Sequence, residues 1–237
     1  MPRTLGYLDT VMTPKISILV PTRERPDRFK TMLDSLFNTV KNKDDVEILF
    51  CVDMDDTEIT KYAPFKSDKV HMYVMEPQVI SKSWNIIAKE AKGDILVMGN
   101  DDQVYVTPNW DAVLLREAAK YPDKIYCLWF NDNINGAKHC AFPMISRRWY
   151  ETLGYFVPEL FLFHYNDTWV YDIAKRIERA KYLGHVTVEH WHYGRDHSLY
   201  DKTYNKHRKE PEKDKVVFEK TEDVRKAEAA KLRKIMR

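Results

Sequence analysis

Short apolar runs and helical stripes alternate along the first half of the chain. Apolar runs typical of buried strands are found at 16–20, 46–52, 70–75 and 95–98. Apolar residues spaced three and four apart, typical of one helix face, are found at 29–40, 84–91 and 110–121. This order of elements predicts an α/β fold with a mostly parallel, doubly wound sheet flanked by helices.

The second half of the chain is less regular. Apolar runs predict strands at 125–130, 140–145 and 183–188, and a helical stripe lies at 170–177. From about residue 201 the residues are mostly charged, and the helical stripe there is weak. We therefore expect an N-terminal extension at 1–14, one α/β domain at 15–200 and a basic, helical tail at 201–237.

The charge of the 237-residue chain is unevenly distributed along its length. The whole chain has a formal net charge of +2, but residues 202–237 contain 13 lysines and arginines against 7 acidic residues. A basic tail suits contact with phosphates or an anionic surface, and a solvated charged helix explains it equally well. The charge pattern therefore leaves a DNA partner open without establishing one.

The three cysteines and the apolar content bear on the compartment. Cys51, Cys127 and Cys140 are far apart, without metal-type spacing, and are expected to be buried reduced thiols. No stretch reaches the roughly 20 apolar residues that a membrane span needs. The first 14 residues have no apolar signal core. These observations predict a cytoplasmic protein without a membrane span, and they leave the oligomeric state open.

Polar residues follow three of the predicted strands where each strand ends. They are Thr22, Arg23, Asp53, Asn100, Asp101 and Asp102. Ligands of doubly wound sheets bind beyond the carboxyl ends of the strands, so these side chains are candidates for a binding site. Carboxylates after a buried strand suit a divalent cation such as Mg²⁺ or Mn²⁺. Asn and Asp are also common turn formers, and spacing alone does not separate the two explanations.

Four segments resemble family 2 glycosyltransferases with the GT-A (Rossmann-like) fold. They are ISILVPTR at 16–23, FCVDMDDT at 50–57, SWN at 83–85 and GDILVM at 93–98. The resemblance covers roughly residues 15–195. It implies metal-dependent transfer of a sugar from a nucleotide-sugar donor to an acceptor hydroxyl, with Mn²⁺ or Mg²⁺ and with inversion. Small proteins of this pattern also look like virus-encoded glycosyltransferases, including bacteriophage enzymes that modify DNA and act in the host cytoplasm.

The resemblance assigns donor contacts to the residues that follow these strands. The predicted donor-binding residues are Pro21, Thr22, Arg23, Asp53, Asn85, Asn100, Asp101 and Arg195. Asp53 would accept a hydrogen bond from the base, which fits uracil and hence a UDP-sugar, although guanine would serve as well. The family's Asp-x-Asp motif begins here with Asn100, so Asp102 is the expected direct metal ligand.

The second half supplies the remaining candidates for metal binding and catalysis. Asn166-Asp167 is similar to the acidic pair that holds the catalytic base of inverting members, which makes Asp167 the candidate base. A helix N-cap is the alternative explanation. His164 is a competing base or acceptor contact. The resemblance makes His192, and with less weight His190, a further metal ligand.

Nine aromatic residues between positions 149 and 171 predict an aromatic acceptor cleft. Tyr155, in a loop that resembles the family's acceptor side, and Trp169 are the candidate contacts, with core packing as the alternative. The acceptor expected from this cleft and the basic tail is a hydroxymethylated base in DNA, or alternatively a cell-surface glycan. A nucleotidyltransferase is a rival class, although residues 21–28 contain no glycine for a phosphate loop. A non-catalytic module that binds nucleotide sugars is another.

Overall fold

A mixed sheet of eight strands forms the centre of the molecule in the computed structural model, which describes residues 14–192 and 211–236. The strands are β1 (Ile16–Thr22), β2 (Val46–Asp53), β3 (Val70–Met75), β4 (Ile95–Met98), β5 (Gln103–Tyr105), β6 (Cys127–Asn131), β7 (Met144–Ser146) and β8 (Ala180–His190). Their order across the sheet is β3-β2-β1-β4-β7-β6-β8-β5.

The first half of the sheet is parallel, as predicted. β1 pairs in parallel with both β2 and β4, and β2 pairs in parallel with β3. The apolar runs of β1, β2 and β4 are buried because helices cover both faces of a parallel sheet. β7 runs antiparallel to β4 and β6, and β5 runs antiparallel to β8, which makes the sheet mixed.

Helices pack around this sheet and begin where the sequence favours them. They are α1 (Pro26–Thr39), α2 (Ile80–Glu90), α3 (Trp110–Ala118), α4 (Arg147–Leu153), α5 (Asn166–Arg176), α6 (Pro211–Lys220) and α7 (Glu222–Arg233). α1 has proline in its first turn and buries its apolar stripe. Ser146 caps α4 by accepting a hydrogen bond from the Trp149 N–H at 3.0 Å.

The described part of the predicted tail packs onto the rest of the molecule. α7 contacts α4 and α5, and its Ala229 and Leu232 are buried. Arg225 is 3% exposed and its Nε donates to Asp172 Oδ2 at 2.8 Å. The tail predicted at 201–237 is helical where it is described, at 211–236, but part of its charge is paired inside the fold.

Several helices and strands are absent from the sequence prediction or have other bounds than it gives. β5 and α4 were not predicted, and β8 is longer than its apolar run. Ser81, expected to cap α2, lies inside that helix and is buried.

The three cysteines are buried free thiols, as predicted. Within the described ranges, we find no helix long and apolar enough to cross a membrane.

Candidate active site

A cavity of about 450 Å³ opens at the carboxyl ends of β1, β2 and β4. Its other walls are the loop between β6 and β7, the residues that lead into α5, and the end of β8. Most of the predicted site residues line it: Pro21, Thr22, Arg23, Asp53, Asn100, Asp101, Asp102, His164, Asp167, His190 and His192. The structure thus brings together polar residues from both halves of the chain.

Asp101 is held by partners on the strand end opposite it. Thr22 Oγ1 donates to Asp101 Oδ2 at 2.7 Å, and Arg25 donates to Asp101 Oδ1 at 3.2 Å. Burial raises the pKa of Asp101 to about 6; the charge of Asp102 also raises it, whereas Arg25 and Thr22 lower it. Because both carboxylate oxygens accept these bonds, Asp101 ties β1 to the end of β4 at the cavity rim.

Asp102 lies against two histidines at the end of β8. His190 Nε2 is 3.4 Å from Asp102 Oδ2, and the rings of His190 and His192 are 5.0 Å apart between centroids. The backbone N–H of Trp191 donates to the Asp102 carbonyl at 2.8 Å, which fixes the two segments together. Burial lowers the pKa of His190, but the Asp102 carboxylate outweighs this and holds it above its ordinary value.

The residues around Asp102 fit a partial metal site. The described residues contain no group of three or more His, Cys, Asp or Glu side chains placed to hold a metal ion. Mg²⁺ and Mn²⁺, however, are often held by one or two side chains together with substrate phosphates. A carboxylate and an imidazole 3.4 Å apart suit one such cation. His190 is the histidine that contacts Asp102, although the sequence favoured His192.

Arg23 and Asp53 line the cavity at the ends of β1 and β2. Arg23 donates to Asp53 Oδ2 at 2.6 Å and also to Asp55. These hydrogen bonds, with that to Asp55 the strongest, outweigh the cost of burial and raise the pKa of Arg23 above its ordinary value. The base contact predicted for Asp53 would therefore be made by a carboxylate that already carries an ion pair.

Asp167 forms a pair with His139 on another wall of the cavity. His139 Nε2 and Asp167 Oδ2 are 2.8 Å apart, and the hydrogen bond to Asp167 raises the pKa of His139. Tyr165, with a φ of 68° in the left-handed region, begins α5 and places Asp167 in its first turn. Sequence reasoning missed His139, since it lies in an irregular loop before β7 and carries no periodic signal.

Three predicted site residues lie outside the cavity lining. The Asn85 side chain accepts from the N–H groups of Phe156 and Val157 at 2.9 and 3.1 Å and donates to the Val157 carbonyl at 2.8 Å. Trp169 is buried, and its Nε1 donates to the Tyr155 hydroxyl at 3.2 Å. These groups are used to hold the fold. Arg195, the remaining predicted donor contact, lies outside the described residues.

The aromatic wall of the cavity includes two of the nine predicted rings, but neither of the two candidate contacts Tyr155 and Trp169. Phe142, Phe163 and Tyr165 line it, together with His164. The N–H groups of residues 162–164 all donate to the carboxylate of Asp214 in α6, at 2.8, 2.9 and 2.8 Å. The C-terminal helices therefore hold part of this wall in place.

A family model decides what kind of protein carries this cavity. The model described as glycosyl transferase family 2 matches residues 17–175, which include the strand ends and Asp167. The chain belongs to glycosyl transferase family 2. This is the family that its motifs resemble.

Related proteins agree with this assignment over part of their length. O-antigen biosynthesis protein RfbC of Myxococcus xanthus is 29% identical to this glycosyltransferase over 118 residues, which are 46% of this chain and 9% of RfbC. The chain thus spans less than a tenth of that relative.

Solved structures show the same fold at low identity. Mannosyltransferase PcManGT of Pyrobaculum calidifontis, in complex with GDP-Man and Mn²⁺, has a TM-score of 0.58 at 15% identity, over 75% of this chain and 56% of that one. S. aureus TarS 1-349, in complex with UDP-GlcNAc, has a TM-score of 0.54 at 16% identity, over 73% and 57%. This glycosyltransferase therefore has the α/β GT-A fold.

Proposed function

We propose that this glycosyltransferase moves a sugar from a nucleoside diphosphate sugar to an acceptor hydroxyl, with a divalent cation at Asp102. One observation carries the proposal. A single cavity joins Asp102 and His190, the Arg23–Asp53 pair and the His139–Asp167 pair. These are a candidate metal site, a candidate nucleotide site and a candidate proton acceptor, which together are what the reaction requires.

The donor end of the cavity lies at the ends of β1 and β2. Pro21, Thr22 and Arg23 would surround the nucleotide base and ribose, and Asn100 and Asp101 would lie near the donor on the neighbouring strand end. The solved relatives contain GDP-Man in one case and UDP-GlcNAc in the other. A UDP-sugar fits because a uracil imide would donate to the carboxylate of Asp53, and a GDP-sugar fits as well because guanine would donate to the same group.

Asp102 and His190 would hold Mn²⁺ or Mg²⁺ together with the donor diphosphate, with His192 beside them. When bound, the cation would neutralise the negative charge that develops on the departing nucleoside diphosphate. The acceptor oxygen would attack the anomeric carbon in a single displacement, which inverts the configuration there. The His139–Asp167 pair would take up the proton that the hydroxyl loses.

A glycan hydroxyl is the acceptor that the walls of the cavity favour. Phe142, Phe163 and Tyr165 provide ring faces of the kind on which sugars pack. The expectation of a DNA acceptor depended on the basic tail and on an aromatic cleft formed by residues 149–171. Helices α6 and α7 pack on the rest of the fold, and Tyr155 and Trp169 lie outside the cavity lining, so that acceptor is not supported.

The proposal is tested by donor binding and turnover. UDP-, GDP- and CDP-sugars are compared by thermal shift with and without Mn²⁺, since a ligand of the native state raises its stability. We expect one nucleotide series to raise the Tm, more with Mn²⁺, and to release nucleoside diphosphate. A nucleotidyltransferase would instead need added pyrophosphate, and would convert it and the nucleotide sugar to a nucleoside triphosphate and a sugar 1-phosphate. Binding without turnover would identify a non-catalytic module.

The metal role is tested with a matched pair of variants. Asp102→Ala should unfold at nearly the wild-type temperature and lose Mn²⁺-dependent turnover. Asp34→Ala, an exposed carboxylate on α1 that pairs with Lys30, is the control and should keep it. Full Mn²⁺-dependent turnover in Asp102→Ala would remove the metal role from that residue.

A further inference from the structure

The carboxylate of Asp167 already accepts hydrogen bonds at both oxygens. His139 lies 2.8 Å from Oδ2, while the backbone N–H and the hydroxyl of Thr168 donate to Oδ1 at 2.7 and 3.2 Å. Both oxygens are therefore already used as hydrogen-bond acceptors within the protein. This arrangement suits a carboxylate that orients a neighbouring group rather than one that takes a proton from a bound hydroxyl.

His139, in contrast, has a ring nitrogen that can accept a proton. With Asp167 accepting from Nε2–H, the tautomer of the neutral ring leaves the lone pair on Nδ1. Among the described residues, the hydrogen bond found for the His139 ring is the one at Nε2. The side chain is 31% exposed and lines the cavity. The ring can therefore accept a proton from a molecule bound there.

An imidazole whose one nitrogen donates to a buried or half-buried carboxylate is the usual arrangement of a histidine general base. We propose that His139 is the catalytic base of this glycosyltransferase and that Asp167 is a positioning residue that orients it. This inference rests on the proposed function, because it names the group that takes the proton in that reaction.

The proposed step forms one bond to the anomeric carbon and breaks another. The acceptor oxygen forms a bond to the anomeric carbon, and its proton passes to Nδ1 of His139. The bond from the anomeric carbon to the diphosphate oxygen breaks, and its electron pair leaves with the nucleoside diphosphate. His139 becomes an imidazolium ion that the ionised Asp167 stabilises, and it returns the proton to solvent afterwards.

Other groups around His139 modify its pKa without replacing this role. Asp167 raises the pKa most, burial lowers it, Asp132 raises it and Lys175 lowers it. The ring of Tyr171 packs edge-on against the imidazole, with centroids 5.9 Å apart. The net result is that the pKa of His139 lies above the ordinary histidine value of about 6.5.

The test is the pH dependence of nucleoside diphosphate release from the donor that binds, with Mn²⁺ present. In the wild type, turnover should fall on the acid side with an apparent pKa above that of an ordinary histidine. His139→Gln should lower turnover by about 10²-fold or more and lose this acid limb. Asp167→Asn should keep residual turnover with the limb moved to lower pH, because the negative charge that raises the histidine pKa is gone.

The control is His185→Gln on β8, an exposed histidine outside the cavity lining, which should keep the wild-type profile. Donor-induced thermal shifts confirm that each variant is folded. If His139→Gln is not folded, the inference is tested by Asp167→Asn alone, in which the acid-side fall in turnover should move to lower pH. The inference is overturned if Asp167→Asn is inactive at every pH while His139→Gln keeps the acid limb. Absence of turnover in the wild type with every donor would instead overturn the proposed function.

Discussion

Asp214 provides a sharp test of how the C-terminal helices support the cavity. Its side chain is 2% exposed and accepts three backbone N–H groups from Leu162, Phe163 and His164. Asp214→Ala removes both acceptor oxygens, and with them all three hydrogen bonds, from the N–H groups of a partly buried loop. We expect a folded but clearly less stable protein.

The size of the loss follows from these contacts. A hydrogen bond to a charged group contributes about 1.5–3 kcal/mol, but the three bonds share one carboxylate and the freed loop can hydrate in part. A total loss of about 3 kcal/mol is therefore expected. For a chain of this length that corresponds to a Tm lower by about 6–12 °C.

Urea unfolding followed by tryptophan fluorescence measures this loss, with the slope of the transition checked for two-state behaviour. Asp223→Ala is the matched control in α7, because its side chain is 96% exposed and pairs only with Lys226 among the described residues. Asp214→Asn, which keeps one acceptor oxygen, should lie between the two. If Asp214→Ala unfolds at the same urea concentration as Asp223→Ala, the proposed support of the loop is refuted.

Two further substitutions test packing and buried charge. Gly93→Ala should cost about 1–3 kcal/mol by urea unfolding, because its Cβ would lie 2.7 Å from the Ser17 nitrogen; an unchanged midpoint would contradict this. Burial raises the pKa of Glu228 although Tyr155 and Trp169 donate to it, so wild-type stability should fall as pH rises from about 4.5 through the folded pKa. Glu228→Gln lacks this loss, so its free energy of unfolding should rise relative to that of the wild type between pH 4 and pH 7.5. The opposite trend would contradict the argument.

The central strands of the parallel half were predictable because they are buried on both faces. Such strands appear as continuous apolar runs, and the runs at 46–52 and 95–98 match β2 and β4. β5 has three residues and depends on a partner, β8, that is distant in the chain. No local pattern marks a strand of that kind, so its existence follows only from tertiary pairing.

The donor side of the site was predictable for a similar reason. The ends of parallel strands meet at one edge, so residues such as Asp53 and Asp102 had to converge there. His139 lies in a loop whose course depends on packing, and it could not be placed beside Asp167 from sequence. Asn85 was expected at the donor, but whether an amide faces a cavity or a backbone segment is decided by neighbours distant in the chain.

The pairing of β5 with β8 sets the position of His190 through strand register. Gln103 lies opposite His190, and this places the imidazole beside Asp102. Since side chains alternate between the faces of a strand, a slip of one residue would bring Glu189 or Trp191 opposite Gln103 instead. The register of two strands that are distant in the chain therefore decides which side chain meets Asp102.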